Sequence, residues 1–182
     1  RRLAIVDLSP AGHQPMRSAS RRFVIAFNGE IYNHTQLRAE IDAAVTSSVW
    51  RGHSDTETLL AAFEHWGVEA TLQKAIGMFA IALWDTRERR LHLARDRLGE
   101  KPLYYGWVGQ GFERAFAFGS ELKALRAYPG FDNAVCREAL AQYMRFVYIP
   151  APRSIYQGIY KLEPGCLLTV VERAPGTPPV AP

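Results

Sequence analysis

The sequence predicts an α+β fold with helices packed on antiparallel sheets. Two observations carry this. Between residues 34 and 75, amphipathic stretches are bounded by helix start and stop signals, whereas GMFAIALWD, RRLHLARD, KPLYYGWV and RAFAFGS then follow as strand-like runs separated by turn residues. Within the first of these runs, MFAIALW is apolar almost throughout. Such a strand is buried on both faces, so its sheet must be covered on two sides.

Taken in order, LAIVD (3–7) is β-rich and stops at Ser9-Pro10, and FVIAFN (23–28) is a second strand. Asn33 is placed to cap a helix whose apolar stripe is Leu37, Ile41 and Ala44. TSSVW (46–50) reads as a short strand. In SDTETLLAAFEHWG, Ser54 and Glu57 stand in capping-box spacing, Leu59, Leu60, Phe63 and Trp66 form the buried face, and Gly67 ends the helix. VEATLQKA (68–75) is a short helix. Tyr104 and Tyr105 alternate faces, so at most one is expected in the core. Ser120 is placed to cap SELKALRA with Leu122 and Leu125 inward, and CREALAQYMRF (136–146) is a further helix. The proline-studded YIPAPRSIYQGIYKLEPG is irregular, and CLLTVVE is a last strand. The tail APGTPPVAP has no periodicity, so residues 1–172 are expected to form the domain and 173–182 a linker or disordered tail.

Composition narrows the function classes. A chain of 182 residues, 48% apolar and 22% charged, is ordinary for one soluble domain. The net charge of +4 is mild and the arginines are scattered, which argues against a nucleic-acid surface. Cys136 and Cys166 offer neither a disulfide framework nor metal spacing, and His13, His34, His53, His65 and His92 are dispersed, so no zinc centre is predicted. Without a signal peptide or a long apolar run, a cytoplasmic protein with no membrane partner is expected. The chain opens at Arg1 directly into a strand-like run, which suggests that a segment precedes it.

The chemistry concentrates in FVIAFNGEIYN, where the apolar run Phe23–Phe27 breaks at Asn28, Gly29 and Glu30. Asn-Gly is a strong turn dipeptide. It would equally place an amide and an exposed N–H at a strand end. With Arg2 ahead of LAIVD and Asp55 opening a helix, these groups would suit an amino-acid ligand. A guanidinium pairs a carboxylate bidentately, two carboxylates hold an ammonium, and two N–H donors stabilise an oxyanion. Each residue also has a plain structural reading: a solvated arginine, a turn, a carboxylate favoured by the helix dipole. The sequence patterns G-x-S-x-G, H-E-x-x-H and the phosphate loop do not occur.

The strings RRLAIVDLS, GHQPM, FNGEIYN, SDTE, GMFAIALWD, ARDRLGEKPLYYG, GSELKAL and IPAPRSIYQGIYKLEPG occur in this order between Arg2 and about Thr169. That ordered set resembles the glutaminase domain of glutamine-hydrolysing asparagine synthetases, a class II glutamine amidotransferase. The resemblance implies the four-layer αββα N-terminal-nucleophile hydrolase sandwich, here truncated at its N-terminus. It implies that Arg2 binds the α-carboxylate of glutamine, with backbone contacts from Ile5 and Val6. Asn28 and Gly29 would form the oxyanion hole, and Glu30 and Asp55 would take the α-ammonium. Glutamine is then the ligand, and a C-terminal synthetase domain of the same protein the partner. No cofactor belongs to this domain, ATP and Mg serving the synthetase domain. RDRLGEKPLYY would wall the pocket, with Asp96, Gly99 and Pro102 setting its turns.

The nucleophile of this family is a cysteine at the mature N-terminus, activated by its own α-amine. Neither Cys136 nor Cys166 matches it; both are expected to be buried or half-buried thiols. The chain as written is therefore expected not to turn over glutamine. Unpaired strand edges are expected where leading strands would sit, with homodimerisation as one compensation. Two further readings stay open: an amidotransferase for another acceptor, such as a sugar acid, and a non-catalytic domain of the β-lactam synthetase kind. The presence of Arg2, Asn28, Gly29, Glu30 and Asp55 together favours a working parent enzyme.

Overall fold

In the computed structural model, residues 12–45 and 50–171 are described. The fold grows outward from β3 (Gly77–Asp85), whose residues alternate between two cores. Phe79, Ile81 and Leu83 enter one, Ala80 and Ala82 the other. β2 (Phe23–Ile31) pairs with it antiparallel over its whole length, from Phe23 opposite Asp85 to Ile31 opposite Gly77. The two-residue β1 (Met16–Arg17) flanks β2, while β4 (Arg90–Arg95) and β8 (Leu167–Val171) complete the order β1-β2-β3-β4-β8. A second sheet has the order β6-β5-β7, from β5 (Tyr104–Val108), β6 (Ala115–Gly119) and β7 (Ile159–Lys161).

The apolar periodicities explain the layers. α1 (His34–Ala44) buries Leu37 and Ile41, and α2 (Asp55–Trp66) buries Leu59, Leu60 and Phe63. Together with α3 (Val68–Lys74) they cover the outer face of the large sheet against Phe23, Ile25 and Ile81. Each such fully buried side chain contributes about 1.5–3 kcal/mol of transfer free energy. Between the sheets, Ala80, Ala82 and Leu93 meet Leu103, Leu162, Tyr105 and Phe116. Small alanines on β3 there leave room for the rings. On the far side, α4 (Leu122–Arg126) lays Leu125 with Tyr128 and Phe131 over Val108 and Ala117. The result is the αββα sandwich. α5 (Arg137–Phe146) buries Ala139 but leaves Leu140, Tyr143 and Met144 exposed.

Several local expectations give way to tertiary contacts. Tyr104 and Tyr105 both pack, one in each core, because this sheet is covered on both faces. Ala44 is exposed, since only one turn of α1 beyond Leu37 reaches the sheet. Asn33 precedes α1 without a capping bond; its amide instead donates to Lys74 O (3.0 Å) and accepts from Ile76 N (2.9 Å), tying α1 to the entry of β3. Half of the capping box is present: Ser54 Oγ accepts from Glu57 N, but the Glu57 carboxylate turns to the N–H groups of Arg51 and Gly52. Cys136 is half-buried, whereas Cys166 is exposed. The expected strands LAIVD and TSSVW (save Trp50, which is in no regular element) and the tail from 172 lie outside the described residues.

Asp85 closes β3 at 2% exposure. It accepts from Arg22 Nε (3.0 Å) and Nη2 (2.6 Å) and from the N–H groups of Arg87 and Glu88. Burial alone would raise its pKa; the Arg22 and backbone bonds outweigh that and hold it below the usual carboxylate value. A depressed folded pKa contributes stability above about pH 4 that is lost as pH falls through the folded value. Asp85→Asn should therefore cost about 1–3 kcal/mol at neutral pH. In urea titrations from pH 7 to 2, the gap to wild type should close in acid; a gap independent of pH would contradict this.

Candidate active site

Strand pairing decides what Asn28, Gly29 and Glu30 can do. In an antiparallel pair, successive N–H groups point alternately to the partner and away from it. Phe27 N donates to Gln14 Oε1 (2.6 Å) and Ile31 N to Asp55 Oδ2 (3.0 Å), both on the side away from β3. Gly29 lies midway, so its N–H points out of the same edge. Among the described residues, β1 covers β2 at Val24 and Ile25 and leaves this stretch open. Asn28-Gly29 is thus part of a regular strand and no turn, with Asn28 opposite Ala80 and Gly29 opposite Phe79.

Glycine is required at position 29. A Cβ there would lie 2.1 Å from the carbonyl oxygen of Met78, and one on Gly77 would lie 2.1 Å from that of Glu30. The two glycines let the strand ends approach. Asn28 and Glu30, two apart, share the face of β2 that looks toward the second sheet. The Asn28 amide donates from Nδ2 to Ser120 Oγ (3.0 Å) at the end of β6.

Asp55 is 4% exposed and reaches this strand end from the start of α2. Its carboxylate accepts from Ile31 N and, through Oδ1, from Thr56 N (2.8 Å). A carboxylate offers about four acceptor sites, so capacity remains for an ammonium. The loop before it is pinned by Glu57, which accepts from Arg51 N (2.9 Å) and Gly52 N (3.0 Å) and faces the guanidinium of Arg38 at 3.7 Å. Arg38 in turn lies 4.1 Å over the Trp50 ring.

The RDRLGEK loop supports the strand end from behind. Asp96, 1% exposed, accepts from the N–H groups of Leu98, Glu100, Lys101 and Phe79, the last being the residue opposite Gly29. Burial pushes this carboxyl up, but the four N–H bonds prevail and hold it low. Arg95 donates to the carbonyls of Gly99, Lys101 and Leu162, and Arg97 to those of Gln73 and Ala75 at the end of α3. The Tyr32 phenol is raised by desolvation and then by the negative charges of Glu100, Glu30 and Asp96. A cavity of about 360 Å³ lies elsewhere, between α3 and β8, lined by Arg95, Arg97 and Cys166. Both guanidiniums there are already bonded to carbonyls.

Asn28, Gly29, Glu30 and Asp55 are therefore gathered at one end of β2. Arg2, Ile5 and Val6 lie outside the described residues. Sequence reasoning missed Gln14 and Ser120: their partners are 13 and 92 residues away. Ser120 was expected to cap α4, yet Glu121 occupies that position and the serine hydroxyl meets Asn28 instead. Among the described residues, no three His, Cys, Asp or Glu side chains are grouped to hold a metal, and no helix is long and apolar enough to cross a membrane.

Two antiparallel sheets between helical layers, with a glycine N–H and an amide at an open strand edge, define an amidotransferase-type sandwich. The chain belongs to the glutamine amidotransferase domain family, whose model matches residues 1–177. It is 39% identical over 170 residues to asparagine synthetase [glutamine-hydrolyzing] 1 of Bacillus subtilis (strain 168), covering 93% of this chain and 26% of that protein. Asparagine synthetase [glutamine-hydrolyzing] 3 of the same organism is 37% identical over 177 residues, covering 93% and 27%. The chain thus spans about a quarter of the length of these relatives. The solved glutamine phosphoribosylpyrophosphate amidotransferase of B. subtilis, complexed with ADP and GMP, shares the fold at TM-score 0.54 and 23% identity, over 68% of this chain and 28% of that one.

The close approach at Gly29 predicts a steep cost for any side chain. Gly29→Ala should lose about 2–4 kcal/mol, because backbone must move. Urea midpoints of Gly29→Ala and wild type check this; a loss below about 1 kcal/mol would contradict it.

Proposed function

We propose that the open end of β2 binds glutamine and serves its hydrolysis to glutamate and ammonia. The observation that carries this is the outward N–H of Gly29 beside the Asn28 amide, with Glu30 and Asp55 at the same strand end. Glu30 and Asp55 take the α-ammonium, and Arg2 pairs the α-carboxylate. A cysteine thiolate at the amino terminus of the intact protein attacks the side-chain amide carbon. The C–S bond forms, and the carbonyl electrons move to oxygen, where Gly29 N–H and Asn28 Nδ2 receive them. The α-amino group of that cysteine passes the thiol proton to the leaving nitrogen, collapse expels ammonia, and water then hydrolyses the thioester to glutamate and the free thiol.

In the longer protein the ammonia amidates an acceptor carboxylate, aspartate by analogy with the asparagine synthetases it resembles, in a domain that uses ATP and Mg. That domain docks on α5. Leu140, Tyr143 and Met144 follow i, i+3, i+4 spacing on α5 and Val147 caps its end; they are 44–78% exposed, an apolar stripe with no cover among the described residues. Cross-linking from position 144 in the longer protein should reach the ATP-dependent domain; cross-links confined to a second copy of this domain would contradict that.

The binding step is testable directly. Glutamine titrated calorimetrically into the protein should bind, and Asp55→Asn should weaken it by at least about tenfold, one charge-assisted contact. Unchanged affinity with a lower melting temperature would leave Asp55 only its bonds to Ile31 and Thr56.

A further inference from the structure

We propose that Ser120 is a positioning residue for the oxyanion donor Asn28, a role that rests on the glutamine-hydrolysis reading above. The terminal torsion of an asparagine is broad and nearly two-fold. A free amide at an open strand edge would present its oxygen about as readily as its nitrogen, and an oxygen there would repel the developing oxyanion. The Ser120 hydroxyl stands 3.0 Å from Nδ2 and takes one of its two hydrogens. The amide plane is then fixed, and the second N–H remains for the substrate oxygen.

Ser120 is itself firmly held. It directly follows β6, whose Gly119 pairs with Tyr104. A Cβ on Gly119 would sit 3.2 Å from Leu125 Cδ1 and 3.3 Å from Ala124 Cβ, so α4 packs tightly on the chain entering Ser120. Ala124 N donates to Glu121 O (3.1 Å), starting that helix one residue later. The hydroxyl serves no cap there, and α4 has no side-chain cap at all. The hydroxyl meets Asn28, on the other sheet and 92 residues away. The bond therefore transfers the rigidity of the β5–β6–α4 unit to one side chain on β2. A hydroxyl spent on local helix structure would have no reason to face that amide.

A double-mutant cycle in the full-length enzyme tests this, with glutamine hydrolysis read as kcat and KM separately. Asn28→Ala should lower kcat by about a hundredfold or more, as for loss of one oxyanion donor. Ser120→Ala should lower kcat by about tenfold with KM within about twofold, because only the transition state feels the misaimed amide. Ser120→Thr, which keeps the hydroxyl, should recover most of that loss, showing that it is not a folding defect. In the Asn28→Ala background, Ser120→Ala should add nothing. A Ser120→Ala loss that persists in that background, or Ser120→Ala with unaltered kcat where Asn28→Ala is impaired, overturns the positioning role alone. Unimpaired turnover by Asn28→Ala would instead overturn the oxyanion reading beneath it.

Discussion

The site depends on the alternation of backbone hydrogen bonds along β2. Among the described residues the strand pairs beyond Ile25 with β3 alone, and every second N–H points away from that partner. Two of these outward donors have side-chain acceptors, Gln14 for Phe27 and Asp55 for Ile31. The one between them belongs to Gly29. A backbone donor aimed by a sheet costs no conformational entropy when a ligand arrives, and it cannot rotate away. That is the property an oxyanion hole requires. In this arrangement the sheet is a device for holding one N–H still.

The rest of the molecule stiffens that edge. Phe79, opposite Gly29, is fixed on its far side by Asp96, whose carboxylate also gathers three N–H groups of the loop that follows it. Arg95 and Arg97 spend their guanidiniums on carbonyls of the same loop and of α3. Glu57 holds the Arg51–Gly52 segment from which Asp55 emerges. Charged residues that look catalytic in a list are here employed as acceptors and donors for irregular backbone, which must be satisfied when partly buried. Asn28 and Asp55, at the end of β2, keep capacity beyond their bonds to Ser120, Ile31 and Thr56.

Much of this was legible in the sequence. The all-apolar GMFAIALWD announced a strand covered on two sides, and the helical stripes of α1 and α2 named their buried residues correctly at Leu37, Ile41, Leu59 and Phe63. SDTE opens α2 as expected, whereas FNGEIYN carries β2 on to Ile31 without a break. What failed were local capping rules. Asn33, Ser120 and half of the Ser54–Glu57 box were read as serving their own helices; Asn33 and Ser120 bond to distant segments instead, and Glu57 to the loop just before α2. Short polar side chains choose between a near backbone and a far one, and only the packed fold decides which is closer. Tyr104 and Tyr105 illustrate the same limit: period-two alternation shows that they face opposite ways but cannot show that both sides are covered.

The most direct measurement is a glutamine titration of the isotopically labelled protein followed by amide resonances. The Gly29 N–H and the Asn28 side-chain NH₂ should shift together and saturate at one ligand concentration. The main-chain N–H of Asn28 and Glu30, which point into the β3 pairing, should move far less. A saturating titration that leaves Gly29 in place, or that shifts the inward amides as much, would show that the open edge of β2 is not where the substrate amide lies.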